Sequence, residues 1–278
     1  MRAEPFTGPV AHHAEGPVWS DAWGGLRWVD MLAGDVLSLA ADGAVQRRHV
    51  GEVAAALRPR AGGGAVIAVE RGFVLEAPRG GLSALPPLWD DRGIRMNDGA
   101  CDPQGRFLCG SMAYDQRPGA GAVYRLDPDG TVEVVMRDVT ISNGLDWSPS
   151  GDLAYYADTA TGEVSALDGD LTARRTFAEI APDDGAPDGL TVDAEGGVWV
   201  ALYGGASVRR YAPSGALDAV VELPVTDVTA CTFGGPGFAT LFITTTRENL
   251  AEGEQPEAGS VFACTPGVAG LPVRTFAG

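Results

Sequence analysis

The sequence has no long hydrophobic run, and this absence narrows the classes of protein to which it can belong. No stretch of about 18 consecutive apolar residues occurs, so the sequence predicts no transmembrane helix and no membrane partner. The amino-terminal segment, MRAEPFTGPVAHHAEGP, has no apolar core of the kind that a secretory signal contains.

The four cysteines show neither a C-x-x-C motif nor zinc-type pairing. We therefore expect buried free thiols in a cytoplasmic protein.

Basic residues are also scarce. Lys and Arg number 20 against 37 Asp and Glu, which gives a net charge of −17 at pH 7 and a sequence pI near 4.4. The composition argues against nucleic acid as a partner, because proteins bind phosphate backbones through basic faces. The charge predicts solubility, and a negative field of this size would also help to recruit a cation.

Helical periodicity is nearly absent, whereas 39 glycines punctuate short alternating segments. A strand begins near each of a series of glycines spaced by 39 to 46 residues, at Gly25, Gly64, Gly105, Gly151, Gly197 and Gly237. A repeat of this length with about four strands is typical of a β-propeller blade. The sequence therefore predicts an all-β fold, a six-bladed β-propeller with a central channel, formed by a single domain over residues 1–278.

The repeat makes a specific structural prediction for two parts of the chain. Segment 52–58, EVAAALR, could form a helix by itself, but it is short and occupies a strand position of the repeat, so we predict a strand. We expect the amino-terminal residues to pair with the last blade and close the ring, with the final RTFAG beside them.

Oxygen-bearing side chains stand at the start of four of the predicted inner strands. They are Glu15, Asn97, Asn143 and Asp188. Their separations of 82, 46 and 45 residues correspond to two, one and one repeats. Because equivalent positions of a propeller lie on one ring around its axis, we expect these side chains to converge at one mouth of the channel.

A simpler interpretation exists for each of these positions taken singly. Asn-Gly and Asp-Gly are ordinary turn dipeptides, as at Asp129-Gly130. A turn needs no common register, however, and Glu15 is a poor turn residue. Together the oxygens indicate a site for Ca²⁺, Mg²⁺ or Mn²⁺, with Zn²⁺ also compatible.

Arg95, two residues before Asn97, either holds a substrate oxygen beside this site or forms a surface salt bridge.

Longer motifs carry a family resemblance. The segments EGPVW, NDG-x-x-DP-x-GRF-x-x-GSM, GAVYRLDPDG, ISNGLDWSPSG, PDGLTVDAEGGVWVA and CTFGGPG resemble the motifs of the senescence marker protein/gluconolactonase/luciferin-regenerating enzyme family over nearly the whole chain. The resemblance implies a propeller with one divalent metal ion, Ca²⁺ or Zn²⁺ foremost, held by Glu15, Asn143 and Asp188. It also implies that Arg95 and Asn97 contact the substrate.

The segment GSMAYDQ offers two further candidates. The resemblance implies a substrate contact for Asp115, although the loop over residues 115–121 is short for the family. Tyr114 either forms an aromatic wall of the site or packs inside its blade.

The leading functional expectation is hydrolysis of a small-molecule sugar-type lactone by a monomeric protein. Asp188 would act as the general base, while Glu15 and Asn143 anchor the metal. The alternatives are hydrolysis of an organophosphate or another ester, a tailoring reaction at the same metal site, and a non-catalytic calcium-binding regulatory protein. His12 and His13 lie close to Glu15, and either one of them reaches the channel mouth or both belong to a solvated segment.

Overall fold

Six four-stranded antiparallel sheets make up the fold, and the computed structural model describes residues 1–40 and 42–278. Blade 1 consists of β2 (Ala14–Ser20), β3 (Gly25–Asp30), β4 (Asp35–Leu39) and β5 (Val45–His49). Blade 2 consists of β6 (Ala54–Pro59), β7 (Ala65–Val69), β8 (Gly72–Glu76) and β9 (Leu82–Ala84). Blade 3 consists of β10 (Ile94–Cys101), β11 (Phe107–Ala113), β12 (Gly121–Leu126) and β13 (Val132–Val139).

The second half of the chain repeats this arrangement. Blade 4 consists of β14 (Ser142–Trp147), β15 (Leu153–Asp158), β16 (Glu163–Asp168) and β17 (Arg175–Glu179). Blade 5 consists of β18 (Ala186–Val192), β19 (Val198–Tyr203), β20 (Ser207–Tyr211) and β21 (Leu217–Glu222). Blade 6 consists of β22 (Val228–Gly234), β23 (Thr240–Thr245), β24 (Val261–Cys264) and the amino-terminal β1 (Glu4–Pro5).

The first strands of the blades form a closed inner ring. Each of β2, β6, β10, β14 and β18 contacts the first strand of the next blade, and β22 contacts β2. The prediction of an all-β, six-bladed propeller is confirmed. Segment 52–58 contributes most of its residues to strand β6, as the repeat predicted.

Helical structure is confined to short 3₁₀ turns in the described part of the chain. They cover Asp21–Trp23, Met31–Ala33, Thr159–Thr161, Pro182–Asp184 and Pro236–Phe238. Within residues 1–40 and 42–278, no helix has the length and apolar character needed to cross a membrane.

The two chain termini lie at different places in the ring. Strand β1 pairs antiparallel with β24, with Glu4 opposite Ala263, so the prediction that the amino terminus completes the last blade is confirmed.

The prediction that the final RTFAG lies beside the amino-terminal residues is wrong, because Phe276 bridges to Arg60 at the end of β6. Its backbone N–H donates to the Pro59 carbonyl at 2.8 Å. The carboxyl-terminal segment therefore runs beside blades 2 and 3, at the ends of the inner strands opposite the candidate site residues.

Glycines at the inner strands permit close packing around the channel. A Cβ on Gly144 would lie 2.6 Å from the backbone nitrogen of Leu190, and a Cβ on Gly189 would lie 2.8 Å from the Cα of Ala230. Both glycines stand within strands, β14 and β18, rather than in turns. The Asn143-Gly144 and Asp188-Gly189 dipeptides therefore serve the contact between neighbouring blades, and the turn interpretation is wrong for both.

The same stretch of the inner strands is irregular in every blade. The register shifts between Glu15 and Val18, between Met96 and Gly99, between Ser142 and Leu145, and between Pro187 and Leu190, with equivalent shifts in β6 and β22. A bulge re-aims the side chains that it contains. All four oxygen-bearing candidates lie at these shifts, so the repeated irregularity places them at one level of the channel.

The cysteines are free thiols. Cys101, Cys109 and Cys231 are buried and Cys264 is half-buried. Burial raises the pKa of Cys101 to about 12, so this thiol stays protonated and behaves as a small apolar side chain.

Candidate active site

A cavity of about 360 Å³ lies at the channel mouth where the inner strands begin. The four oxygen-bearing candidates all line it: Glu15 from β2, Asn97 from β10, Asn143 from β14 and Asp188 from β18. Each is buried, with no more than 5% of its surface exposed. The repeat therefore brings together side chains from blades 1, 3, 4 and 5, as the sequence predicted.

A chain of hydrogen bonds runs between blades along one side of this cavity. Nη1 of Arg95 donates to Oδ1 of Asn97 at 2.6 Å. Nδ2 of Asn97 donates to Oδ1 of Asn143 at 2.8 Å and also to the Ser142 carbonyl at 2.9 Å. Nδ2 of Asn143 in turn donates to Oγ1 of Thr159 at 2.7 Å. Because every amide has a partner on each side, both asparagine side chains are held in one orientation.

The two carboxylates are in an unfavourable environment. Burial, followed by the charge of Asp98, raises the pKa of Glu15 to about 8. Burial, followed by the charge of Glu15, holds the pKa of Asp188 well above its usual range. Among the described residues, the buried Oδ1 of Asp188 has no hydrogen-bond partner. Two desolvated carboxylates that repel each other are costly unless a cation neutralises them.

This donor set fits a divalent metal ion. The Asp188 carboxylate, the Glu15 carboxylate and the Asn143 amide oxygen are hard oxygen donors, which Ca²⁺, Mg²⁺ and Mn²⁺ prefer. No cluster of three His, Cys, Asp or Glu side chains suited to a metal occurs within the described residues. If the site holds a metal ion, the amide oxygen of Asn143 would complete a set of three donors with the two carboxylates.

Arg95 lies inside the cavity rather than at the surface. It is 8% exposed, and burial lowers the pKa of its guanidinium. Arg95 forms no salt bridge with any described residue, so the interpretation as a surface salt bridge is wrong. Its Nη1 instead donates hydrogen bonds to Asn97, to the Met96 carbonyl and to Sδ of Met31. The guanidinium carbon lies 5.7 Å from the centre of the Tyr114 ring.

Tyr114 forms part of the cavity wall and is not packed inside its blade. Its side chain is 46% exposed, and its hydroxyl donates to Oε1 of Glu70 at 2.9 Å. Of the two interpretations left open by the sequence, the structure places Tyr114 at the aromatic wall.

Asp115 does not reach the cavity. Its side chain is exposed and accepts a hydrogen bond from Nη1 of Arg117 at 3.0 Å. The chain turns directly after β11, where the Gln116 N–H donates to the Ala113 carbonyl, and this turn places Gln116 rather than Asp115 against the cavity. The predicted substrate contact of Asp115 is therefore not supported by its position.

One of the two histidines reaches the site. His13 is buried and lines the cavity, whereas His12 is exposed. Nδ1 of His13 lies 2.9 Å from Oε2 of Glu248 and 2.9 Å from Oγ1 of Thr246. The hydrogen bond with His13 is the main cause of the lowered pKa of Glu248.

Sequence reasoning missed several residues of the cavity. Glu248, Thr159, Tyr203 and Asn249 all line it, and none belongs to the strand register that revealed the other candidates. They lie at strand ends or in connections, where the repeat gives no positional information. His13 had a signal, because it lies two positions before Glu15 and an extended chain places both side chains on one side.

The fold and the cavity together define a six-bladed β-propeller with an oxygen-rich site at one mouth of its channel. A family model described as SMP-30/Gluconolactonase/LRE-like region matches residues 13–247, and the chain belongs to this family. Regucalcin of Xenopus laevis is 35% identical over 282 residues, which cover 95% of this chain and 94% of that protein.

Solved structures agree with this assignment. The crystal structure of a calcium-binding protein, regucalcin, from Agrobacterium tumefaciens has a TM-score of 0.91 and 28% identity, and the match covers 99% of this chain and 96% of that one. A luciferin-regenerating enzyme has a TM-score of 0.90 and 25% identity, with 99% of both chains covered.

Proposed function

We propose that the protein is a metal-dependent hydrolase that opens a sugar-type lactone in the cavity at the channel mouth. The observation that carries this proposal is the buried Oδ1 of Asp188, which has no hydrogen-bond partner in the described part of the chain and shares the cavity with the Glu15 carboxylate and the Asn143 amide. These three side chains would hold one divalent metal ion, with Ca²⁺ as the first candidate because all the donors are oxygens. Membership of a family that includes gluconolactonases supports the substrate class.

The metal ion, when bound, would polarise the lactone carbonyl and stabilise the negative charge that develops on its oxygen. Asp188 is our candidate for the general base. Its carboxylate lines the cavity beside Glu15 and Asn143. A carboxylate in this position can accept a proton from a water molecule that attacks the lactone carbon.

Arg95 and Asn97 would orient the substrate. Only Nη1 of Arg95 bonds to described residues, so its Nε and Nη2 are available to hydroxyl or ring oxygens of a lactone. The bond from Nη1 to Asn97 fixes the plane of the guanidinium, and this fixed plane reduces the entropy lost when substrate binds.

A lactone panel assayed by the release of acid tests the proposal. The wild-type protein, stripped with EDTA and reloaded with Ca²⁺, Mg²⁺, Mn²⁺ or Zn²⁺, is assayed with gluconolactone and related aldonolactones. We expect turnover only with metal, and its loss in Asp188→Asn and Asn143→Ala. Asp115→Asn is the matched control, because Asp115 lies outside the cavity. Turnover that persists in Asp188→Asn would contradict the assignment.

A second candidate function is cation binding without turnover. It is favoured by the similarity to a regucalcin described as calcium-binding and by the same unpartnered carboxylate oxygen. One result distinguishes the two functions. Cation binding that depends on Asp188, together with no hydrolysis of any lactone, would support cation binding without turnover and exclude lactone hydrolysis.

A further inference from the structure

Thr159 connects two blades at the candidate metal site. Its Oγ1 accepts a hydrogen bond from Nδ2 of Asn143 at 2.7 Å and donates one to the Pro187 carbonyl at 2.8 Å. Pro187 directly precedes Asp188 in β18. One hydroxyl thus touches the amide of one candidate ligand and the backbone that carries another.

We infer that Thr159 is a positioning residue for the metal site: it directs the amide oxygen of Asn143 into the cavity and ties β14 to β18. This inference rests on the proposed metal site. It does not require that the bound metal serve lactone hydrolysis.

The direction of the Asn143 amide follows from counting hydrogens. A hydroxyl carries a single hydrogen, and the Pro187 carbonyl can only accept, so the Thr159 hydrogen is used there. Thr159 must then accept from Asn143, and only Nδ2 can donate. A reversed amide would set Oδ1 of Asn143 against the lone pairs of Oγ1 and would leave a buried acceptor unsatisfied.

Asn97 reinforces this orientation from the other side. Its Nδ2 donates to Oδ1 of Asn143, which again requires the oxygen of Asn143 at that position. Two partners therefore fix the orientation of the Asn143 amide: the Thr159 hydroxyl, which accepts from Nδ2 of Asn143, and Nδ2 of Asn97, which donates to Oδ1 of Asn143. Loss of the Thr159 hydroxyl would remove one of the two constraints and leave Nδ2 of Asn143 without its partner.

The turn that carries Thr159 is itself fixed to blade 4. The Thr159 N–H donates to the Ile141 carbonyl at 3.1 Å. The Asp158 carboxylate accepts from the backbone N–H groups of Thr140 and Ile141, each at 2.9 Å. The backbone is held independently of the Thr159 hydroxyl, so a substitution that removes only this hydroxyl leaves the turn in place.

The chain offers a matched set of variants. Thr159→Val removes the hydroxyl at constant shape, and Thr159→Ser restores it. Thr161→Val is the control, because the hydrogen bonds of Oγ1 of Thr161 to described residues go to the Asp158 carbonyl at 2.7 Å and to the Glu163 N–H, and neither residue is a candidate ligand. Thr159→Ala provides a second test should Thr159→Val fail to fold.

The measurement is the dissociation constant of Ca²⁺, determined by isothermal titration of EDTA-stripped protein, with thermal unfolding in EDTA to check folding. We expect Thr159→Val to bind about 10- to 100-fold more weakly, the range typical of residues that orient metal ligands. Thr159→Ser and Thr161→Val should bind as the wild type does, and a cooperative unfolding transition in EDTA should show that every variant is folded.

Each possible result either supports or overturns the positioning role of Thr159. Wild-type affinity in a folded Thr159→Val, or equal weakening in Thr159→Ser, would overturn the inference. The expected order of affinities in a protein that hydrolyses no lactone would support the role of Thr159 and overturn the proposed reaction alone. A wild-type protein that binds neither Ca²⁺ nor Mg²⁺, Mn²⁺ or Zn²⁺ would overturn both.

Discussion

Nδ2 of Asn97 donates a hydrogen bond to Oδ1 of Asn143 across the boundary between blades 3 and 4, at 2.8 Å. Asn97 also accepts from Nη1 of Arg95 at 2.6 Å. A single amide therefore joins the guanidinium that would hold the substrate to the oxygen that would hold the metal. The substrate side and the metal side of the cavity are parts of one network, so a change at Asn97 should affect both.

Asn97→Ala should weaken cation binding and catalysis together. The variant removes the donor to Asn143 and the acceptor of Arg95. We expect a loss of about tenfold or more in cation affinity, by analogy with other residues that orient metal ligands, and a further rise in KM. Calorimetric titration with Ca²⁺ and steady-state kinetics measure the two effects. Unchanged cation affinity would show that the bond between the two amides has no role at the site.

Cation removal should lower stability, and the effect should depend on Asp188. A ligand present at 100 times its dissociation constant stabilises a protein by about 2.7 kcal/mol. We expect a rise in melting temperature when Ca²⁺ is added to the EDTA-stripped wild type and no rise for Asp188→Asn. Without metal, Asp188→Asn should be more stable than the wild type, because it removes a buried charge that Glu15 repels. A less stable Asp188→Asn in EDTA would argue that the carboxylates do not repel each other.

Gly144→Ala should destabilise the ring at the contact between blades 4 and 5. The added methyl group would lie 2.6 Å from the Leu190 backbone nitrogen and 2.7 Å from the Asp188 carbonyl oxygen. Overpacking of this kind costs about 1–3 kcal/mol. The control is Gly62→Ala, where no described residue other than the two chain neighbours has an atom within 4 Å of the new methyl group. Denaturant unfolding compares the two, and equal stabilities would contradict the packing role of Gly144.

Deletion of residues 1–7 should open blade 6. The deletion removes β1 and exposes the edge of β24. It also removes the hydrogen bonds that the Met1 and Ala3 backbones make with Val220 and Glu222 of blade 5. We expect a lower melting temperature and self-association that size-exclusion chromatography detects. A truncated protein that remains monomeric with an unchanged melting temperature would show that ring closure does not depend on β1.

The sequence was sufficient to predict the propeller and the ring of oxygen donors, because both follow from a repeat. A fixed period places Asn143 and Asp188 at equivalent positions of neighbouring blades without any knowledge of their contacts. The bulges that aim these side chains recur at the same position in each inner strand.

Features outside the repeat could not be predicted in the same way. Thr159 lies in a 3₁₀ turn, and its role depends on hydrogen bonds to two blades. Asp115 was misplaced because a single tight turn decides which of two neighbouring residues faces the cavity. The carboxyl-terminal segment belongs to no blade, and its contacts with Arg60 and Gly105 are set by tertiary packing alone.

An anomalous difference map from a crystal of the protein soaked in Mn²⁺ would locate a bound cation. We expect a peak within ordinary coordination distance of oxygens from Glu15, Asn143 and Asp188, all of which line one cavity. A soaked crystal with an accessible cavity and no peak there, or with its peak bound elsewhere on the protein, would contradict it.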